Sequence, residues 1–374
     1  MRDYTAYREQ FEICKHGVFL NHAAKSPTLK VMVDSVQEYL YESSMGNHDL
    51  SKWLEKIEIT RTLAATLIST QPANIALVNN VTMGANIVAN GLNLKTGDNI
   101  VVPSNQFPAN VYPWLNLKNR GIEIRNPKVP RNDLQYDQLF TNVDENTCLI
   151  AISLVEYDDG FRHNVKLISD FCLEHQILLF LDAVQGLGAI QFSVQETPVD
   201  FLAVSGHKWL LGPSGQGFLY IKDDLINNMY VVTKGWLSVQ NPFDFHNYQQ
   251  PYLTSAKQIE GGSSNLMGTI ALGSSLELLL EIGMKNIEEQ INELINYLAI
   301  KLLKKGYQIN SYMEKNYQSG ILSFQHQAFT SSELFEELTN NHIQVSERNG
   351  SIRVSPHFYN NLDDLDAFIA VLPA

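Results

Sequence analysis

The sequence is poor in cysteine, short of basic residues and without any long uninterrupted apolar run. Its three cysteines, Cys14, Cys148 and Cys172, are odd in number, widely spaced and free of any CxxC pair. That pattern argues against a disulfide framework or a zinc knuckle and fits a reducing, cytoplasmic setting. Against 40 Asp and Glu stand only 27 Lys and Arg, a formal charge of −13. Such a surface repels phosphate backbones and anionic lipid, so neither nucleic acid nor membrane is expected as a partner. No stretch reaches the ~20 apolar residues of a membrane-spanning helix. The opening MRDYTAYREQFEICKHG has no apolar segment that would read as a secretory signal. The ten histidines include no HExxH, and no phosphate-binding P-loop occurs. Gly186 and Gly188 follow an apolar run, but Gln191 stands where a dinucleotide fingerprint needs its third glycine. Ser205 and Lys208 satisfy S-x-x-K and Lys95-Thr96-Gly97 satisfies K-T-G. The two come in the wrong order for a penicillin-binding serine hydrolase, and no S-D-N accompanies them.

What is present reads as an α/β protein. At 374 residues the chain is long for one core, and its 44% apolar and 18% charged composition is that of an ordinary globular protein. The spacing predicts strands over Ile75–Val78, Asn99–Val102, Cys148–Leu154, Ile177–Leu181, Phe201–Val204 and Gly217–Ile221. These are continuous apolar stretches, as expected of a mostly parallel sheet covered on both faces, and the last follows closely enough to run antiparallel. Beyond residue 264 come a buried helical pattern, then an amphipathic one ending near Lys304, Lys305 and Gly306. Short strands near 320–324, 343–345 and 352–354 alternate with helices near 332–338 and 362–371. The expected division is a large domain over 19–263 and a small one formed by 1–18 with 264–374. The longest irregular stretch, Thr233–Gly262, is of a length that usually serves function.

Ligand-handling residues of open α/β sheets collect past the carboxyl ends of strands. There ILLFL runs into Asp182, and FLAVS runs into SGHKW and delivers Lys208. Taken singly, each is ordinarily a helix cap or a solvated charge. A carboxylate and an amine at consecutive strand mouths are also what pyridoxal-phosphate chemistry needs. The amine forms a Schiff base with the cofactor aldehyde and moves protons at the substrate α-carbon, and the carboxylate keeps the pyridine nitrogen protonated. The cofactor's phosphate needs a helix N-terminus. ALVNNVTMGAN supplies one, with Val81, Thr82 and Met83 presenting amides and the Thr82 hydroxyl as cap and ligand. Ser205 and His207 flank Lys208 and are placed to donate to the same phosphate.

SGHKWLLGPSGQGFLYI, LDAVQ, NNVTMGAN, FLNHAAKSP and EGGSSN, in this combination, resemble the class V aminotransferase family, which includes cysteine desulfurases and isopenicillin-epimerase-like proteins. The resemblance runs from about Phe19 to Pro356 and implies the PLP-dependent transferase fold (fold type I). It implies Lys208 as the Schiff-base lysine, Asp182 beneath the pyridinium and Gln185 on the phenolic oxygen. The phosphate falls to Thr82, Ser205, His207 and the Val81 amide. Phe107 would stack on the ring, where desulfurase-like relatives carry histidine. Ser263 matches a position that reaches the neighbouring subunit's phosphate, implying a homodimer with the active site at the subunit interface. Arg353 matches the clamp for the substrate α-carboxylate, a task suited to the fork of a guanidinium. Asn21, His22, Tyr157 and Trp236 are further substrate-side candidates.

Desulfurases need a cysteine near that arginine, or in the loop before the final strands. The last cysteine here is Cys172, so a persulfide-forming desulfurase is disfavoured. Transamination is the expected reaction. A C–S lyase or epimerase through the same first steps is the alternative, and a non-catalytic protein that kept the fold is a remote one.

Overall fold

Strands form where runs of Val, Ile, Leu and Phe can be covered on both faces, and these positions build the centre of the protein. The computed structural model describes residues 2–46, 49–129 and 135–373. In chain order the strands are β1 (Val18–Phe19), β2 (Ile75–Val78), β3 (Asn99–Val101), β4 (Glu123–Arg125), β5 (Thr147–Ser153), β6 (Leu178–Asp182) and β7 (Phe201–Ser205). They continue with β8 (Gly217–Ile221), β9 (Gln308–Ile309), β10 (Leu322–Gln325), β11 (Ile343–Gln344), β12 (Ser346–Arg348) and β13 (Ser351–Val354). Seven form one sheet in the order β2-β8-β7-β6-β5-β3-β4. All its pairings are parallel except those of β8, which runs antiparallel to both β2 and β7. Every residue of β7 and β8 is buried, which is why neither alternates polar with apolar.

The six strands expected of the main sheet are present with shifted ends, while β1, β4, β9 and β12 had not been expected. β6 begins one residue late because the Ile177 amide is tied back to Cys172 O through a left-handed turn at Gln176 (φ 58°). It therefore runs on to include Asp182 itself. The edge strand β4 has only three residues and charged ends, so no apolar run announced it.

The helix Leu266–Ile282 is apolar around most of its circumference and packs against Lys30–Ser44 and Leu50–Leu67. After it, Met284–Lys304 buries one stripe including Ile287, Ile291, Leu294, Leu298 and Leu302. The C-terminal part adds a four-stranded sheet, β12-β13-β10-β9, and a parallel pair joins β1 to β11. The N-terminal segment packs on this part as well. Arg8 grips Asp364 with two hydrogen bonds of 2.7 and 3.0 Å, and Phe11 stacks on Tyr359 at 3.6 Å between ring centres. Among the described residues no single helix is long and apolar enough to cross a membrane.

Candidate active site

Register places the two key strand ends side by side. Asp182 pairs with Ser153 of β5 on one side and Ala203 of β7 on the other. β7 continues through Ser205 into the turn that carries Lys208. That turn is closed by Gly206 N–H on Gln216 O, Gly212 N–H on Gly206 O and Leu211 N–H on Lys208 O (2.8, 2.8 and 3.0 Å). It also holds Leu211 at φ 55°, a backbone region that bulky side chains avoid and that functional turns retain. Asp182 and Lys208 both line one cavity of about 310 Å³. No ion pair within 4.0 Å closes the space between them. Asp182 is only 4% exposed, and burial pushes its carboxyl up. The Val184 amide (2.9 Å from Oδ1) and the Lys208 charge oppose that shift, while Glu156 adds to it. Burial also pushes the Lys208 amine down; Asp182 resists, and the guanidiniums of Arg353 and Arg348 reinforce. The result is an amine primed to be a neutral nucleophile.

One end of the cavity is built for an anion. Val81, Thr82, Ser205 and His207 line it where the helix Val81–Gly91 begins. The cap of that helix corrects the sequence reading. Asn80, not Thr82, is the N-cap, and its side chain takes the Met83 amide at 2.9 Å. The Val81 amide donates to Ser205 Oγ at 3.0 Å, so those two groups hold each other in register. Gln185 is fixed by Trp209 Nε1–H on its Oε1 and by its own Nε2–H on Ala23 O, both at 2.9 Å. One Nε2 hydrogen remains for the cavity. Gly188 (φ +101°) makes this possible, because a Cβ there would stand 2.0 Å from Trp209 O.

Arg353 occupies another wall. Its side chain is 2% exposed, donates to Tyr157 O and Ser346 Oγ, and leaves Nε with no partner. Among the described residues no carboxylate lies within ion-pair distance of it. Burial, with Arg348 next, pulls its guanidinium down to about 10. Asp158 and Tyr157 oppose that shift from beyond contact distance, and a buried guanidinium with no carboxylate in contact suits a pocket that receives an anion. Phe107 and Tyr157 meet edge to face at 5.2 Å between ring centres, and Lys208 Nζ lies 5.3 Å from the Phe107 ring centre.

Three residues of this region escaped the sequence reading. Glu156 is fully buried, and its Oε1 accepts from Gln106 Nε2 (2.5 Å) and faces His163 Nε2 (2.8 Å). Gln106 in turn takes the Ser153 amide at 2.6 Å and Asn110 Nδ2 at 3.1 Å. This chain of bonds fastens the loop bearing Phe107 to the end of β5. Arg348, on the outer strand β12, also lines the cavity. The only local hints were a carboxylate after the apolar run of β5 and an amide beside Phe107.

Five candidates do not reach this chain's cavity. Asn21 donates to Val345 O and accepts from Ser346 Oγ, so it braces the strand pair behind Arg353. His22 is buried, with Nδ1 donating to Ser355 O at 3.0 Å and Nε2 beside Tyr359 Oη at 3.1 Å, and works as a structural histidine. Met83 and Ser263 line a different cavity, together with Asn79, Ile87 and Gly262. Trp236 sits with Phe243 and Phe245 in an aromatic cluster on the 233–262 loop.

The donor set fits a flat, doubly anionic cofactor. It has an amine and a carboxylate facing one space, hydroxyl and amide groups at one end and an orphaned guanidinium nitrogen at another. The family model described as aminotransferase class V matches residues 18–368. An uncharacterised aminotransferase of Schizosaccharomyces pombe is 27% identical over 96% of this chain and 93% of its own. A cysteine desulfurase of Escherichia coli is 30% identical over 82% of this chain and 77% of its own. The fold matches the solved structure of a C-DES variant with glycine covalently linked to its PLP cofactor. There the TM-score is 0.90 at 21% identity, over 99% of this chain and 98% of that one. The chain belongs to the class V aminotransferase family and is a pyridoxal-phosphate-dependent enzyme of fold type I.

Proposed function

We propose that the protein is an aminotransferase acting on an α-amino acid, with Lys208 as the cofactor's attachment point and the carrier of the α-proton. Bound pyridoxal phosphate supplies an aldehyde that takes an amine and a ring that draws electrons from the α-carbon. In this reading Asp182 holds a proton on the ring nitrogen, which its buried position beside Lys208 favours. Gln185 donates its free Nε2 hydrogen to the phenolic oxygen. Ser205, His207 and Thr82 bind the phosphate, with the Val81 amide holding Ser205 Oγ in place, and Phe107 covers the ring. Arg353 takes the substrate carboxylate. The Lys208 amine, driven toward its neutral form by burial, accepts the α-proton and returns it elsewhere on the same face.

The observation that carries the choice of reaction is the lining of the cavity. Among the described residues it contains the amine, the carboxylate and two guanidiniums, and no thiol. Cys148 and Cys172 are pushed up to about 11 and about 12 by burial, and Cys14 is raised as well, so none is a ready thiolate. Phe107 has no proton to give, which argues against a second base at that position for epimerisation. A second copy of the chain belongs to this reading, with Ser263 and Trp236 serving the neighbouring subunit's site. The test is a screen of amino acids against the cofactor-loaded enzyme. It follows conversion of the cofactor to its amine form beside release of pyruvate, ammonia or sulfide. Transamination predicts the amine form with a keto acid. Pyruvate or sulfide without the amine form means a lyase instead.

A further inference from the structure

Arg353 accounts for one carboxylate, and a second guanidinium looks into the same space. Arg348 lies on β12, which pairs antiparallel with β13 so that Ser346 faces Arg353 and Arg348 faces Ser351. Two residues along a strand return to the same face. Arg348 therefore projects beside Ser346, the residue whose hydroxyl takes Arg353 Nη2. Its one bond is Nη1–H to Glu347 O at 2.9 Å, and among the described residues it has no carboxylate partner. The neighbouring Glu347 carboxylate points to the Ser331 and Ser332 hydroxyls, which both donate to its Oε1 at 2.6 and 2.9 Å, and makes no ion pair with Arg348. The lining thus holds three permanent or amine cations, Lys208, Arg348 and Arg353, against one carboxylate, Asp182. The phosphate donors come from other elements, the Val81–Gly91 helix start and the end of β7. An amino acid with an uncharged side chain neutralises one guanidinium and leaves the other without an anionic partner.

We infer that Arg348 selects amino acids whose side chain carries a second carboxylate. This rests on the amino-acid reading of the site and adds the substrate class to it. Arg348 is exposed at the cavity mouth, so it meets a side chain entering from solvent, while the buried Arg353 meets the α-carboxylate. A charge-assisted bond of this kind is expected to favour a dianion over a matched monoanion by ~10- to 100-fold.

The test uses unreactive analogues, so that binding is read without turnover. The cofactor-loaded protein is titrated by calorimetry with succinate and glutarate, and with butyrate and valerate. The wild-type protein is expected to bind the better dicarboxylate at least ~10-fold more tightly than its monocarboxylate counterpart. In Arg348→Gln that ratio is expected to collapse toward one, with Arg348→Lys in between. Equal affinities in the wild-type protein overturn the inference. So does an Arg348→Gln protein that loses both ligand types in equal proportion, because then both guanidiniums grip a single carboxylate. If none of the four carboxylates binds, and no amino acid perturbs the cofactor absorbance, the amino-acid reading itself falls and takes this inference with it.

Discussion

Replacing Arg353 by methionine should separate function from stability in opposite directions. The guanidinium is 2% exposed and held at about 10 by burial, well under its ordinary range. Keeping it charged at neutral pH therefore costs the folded state about 3 kcal/mol, at about 1.4 kcal/mol per tenfold change in equilibrium. Methionine fills much of the same volume without the charge. It also deletes the bonds to Tyr157 O and Ser346 Oγ, which contribute about 1 kcal/mol each. The net expectation is a gain of about 1 kcal/mol, an increase in Tm of one or two degrees for a chain this long. Substrate binding should move the other way. A carboxylate held by two charge-assisted bonds loses about 3–5 kcal/mol, roughly 10²- to 10⁴-fold in affinity. Differential scanning calorimetry and a titration of amino acid against cofactor absorbance read the two effects on one sample. The reasoning is refuted if Arg353→Met melts many degrees lower with substrate affinity intact. That result would mean the guanidinium has a counter-ion in the fold and no role toward substrate.

Two further substitutions probe how the site is tuned. Asp182 raises the Lys208 amine, so Asp182→Asn should let that amine become neutral at lower pH. Cofactor uptake followed against pH should shift in the acid direction, while kcat falls by ~10²- to 10³-fold as the charge facing the ring is lost. An unshifted uptake profile contradicts the assignment. Glu156 acts on Asp182 and, through Gln106, on the loop of Phe107. Glu156→Gln keeps a side chain that can bond Gln106 but removes the charge that pushes Asp182 up. The acid limb of the kcat profile should then move to lower pH with the fold retained. A change in Tm alone, with the pH profile in place, assigns Glu156 a purely structural role.

The legibility of this protein from sequence follows the range of the interactions involved. The apolar runs of β5 to β8 announced a buried, mostly parallel sheet, and the closeness of β7 and β8 announced the antiparallel neighbour. Asp182 and Lys208 were readable because strand ends are where such sheets present side chains, and their register brings both to one cavity. Local capping was harder. Asn80 and Thr82 are both good caps, and only the extended backbone at Asn80 (φ −172°) decides between them. Asn21 and His22 have the polarity of entrance residues. Their partners, Val345, Ser346, Ser355 and Tyr359, lie more than 300 positions away, and no local pattern shows that those partners consume every polar atom. Arg348 and Glu156 were hidden for another reason, because their importance comes from what β12 and the end of β5 face in space.

Reductive trapping with borohydride followed by peptide mass spectrometry tests the central claim most directly, since everything above depends on Lys208 carrying the cofactor. Protein incubated with pyridoxal phosphate should show a visible band that borohydride bleaches, and the peptide spanning SGHKW should carry the added cofactor mass on Lys208. Lys208→Ala should remain colourless under the same treatment. A cofactor fixed to any other lysine, or a wild-type protein that takes up no colour, contradicts the account.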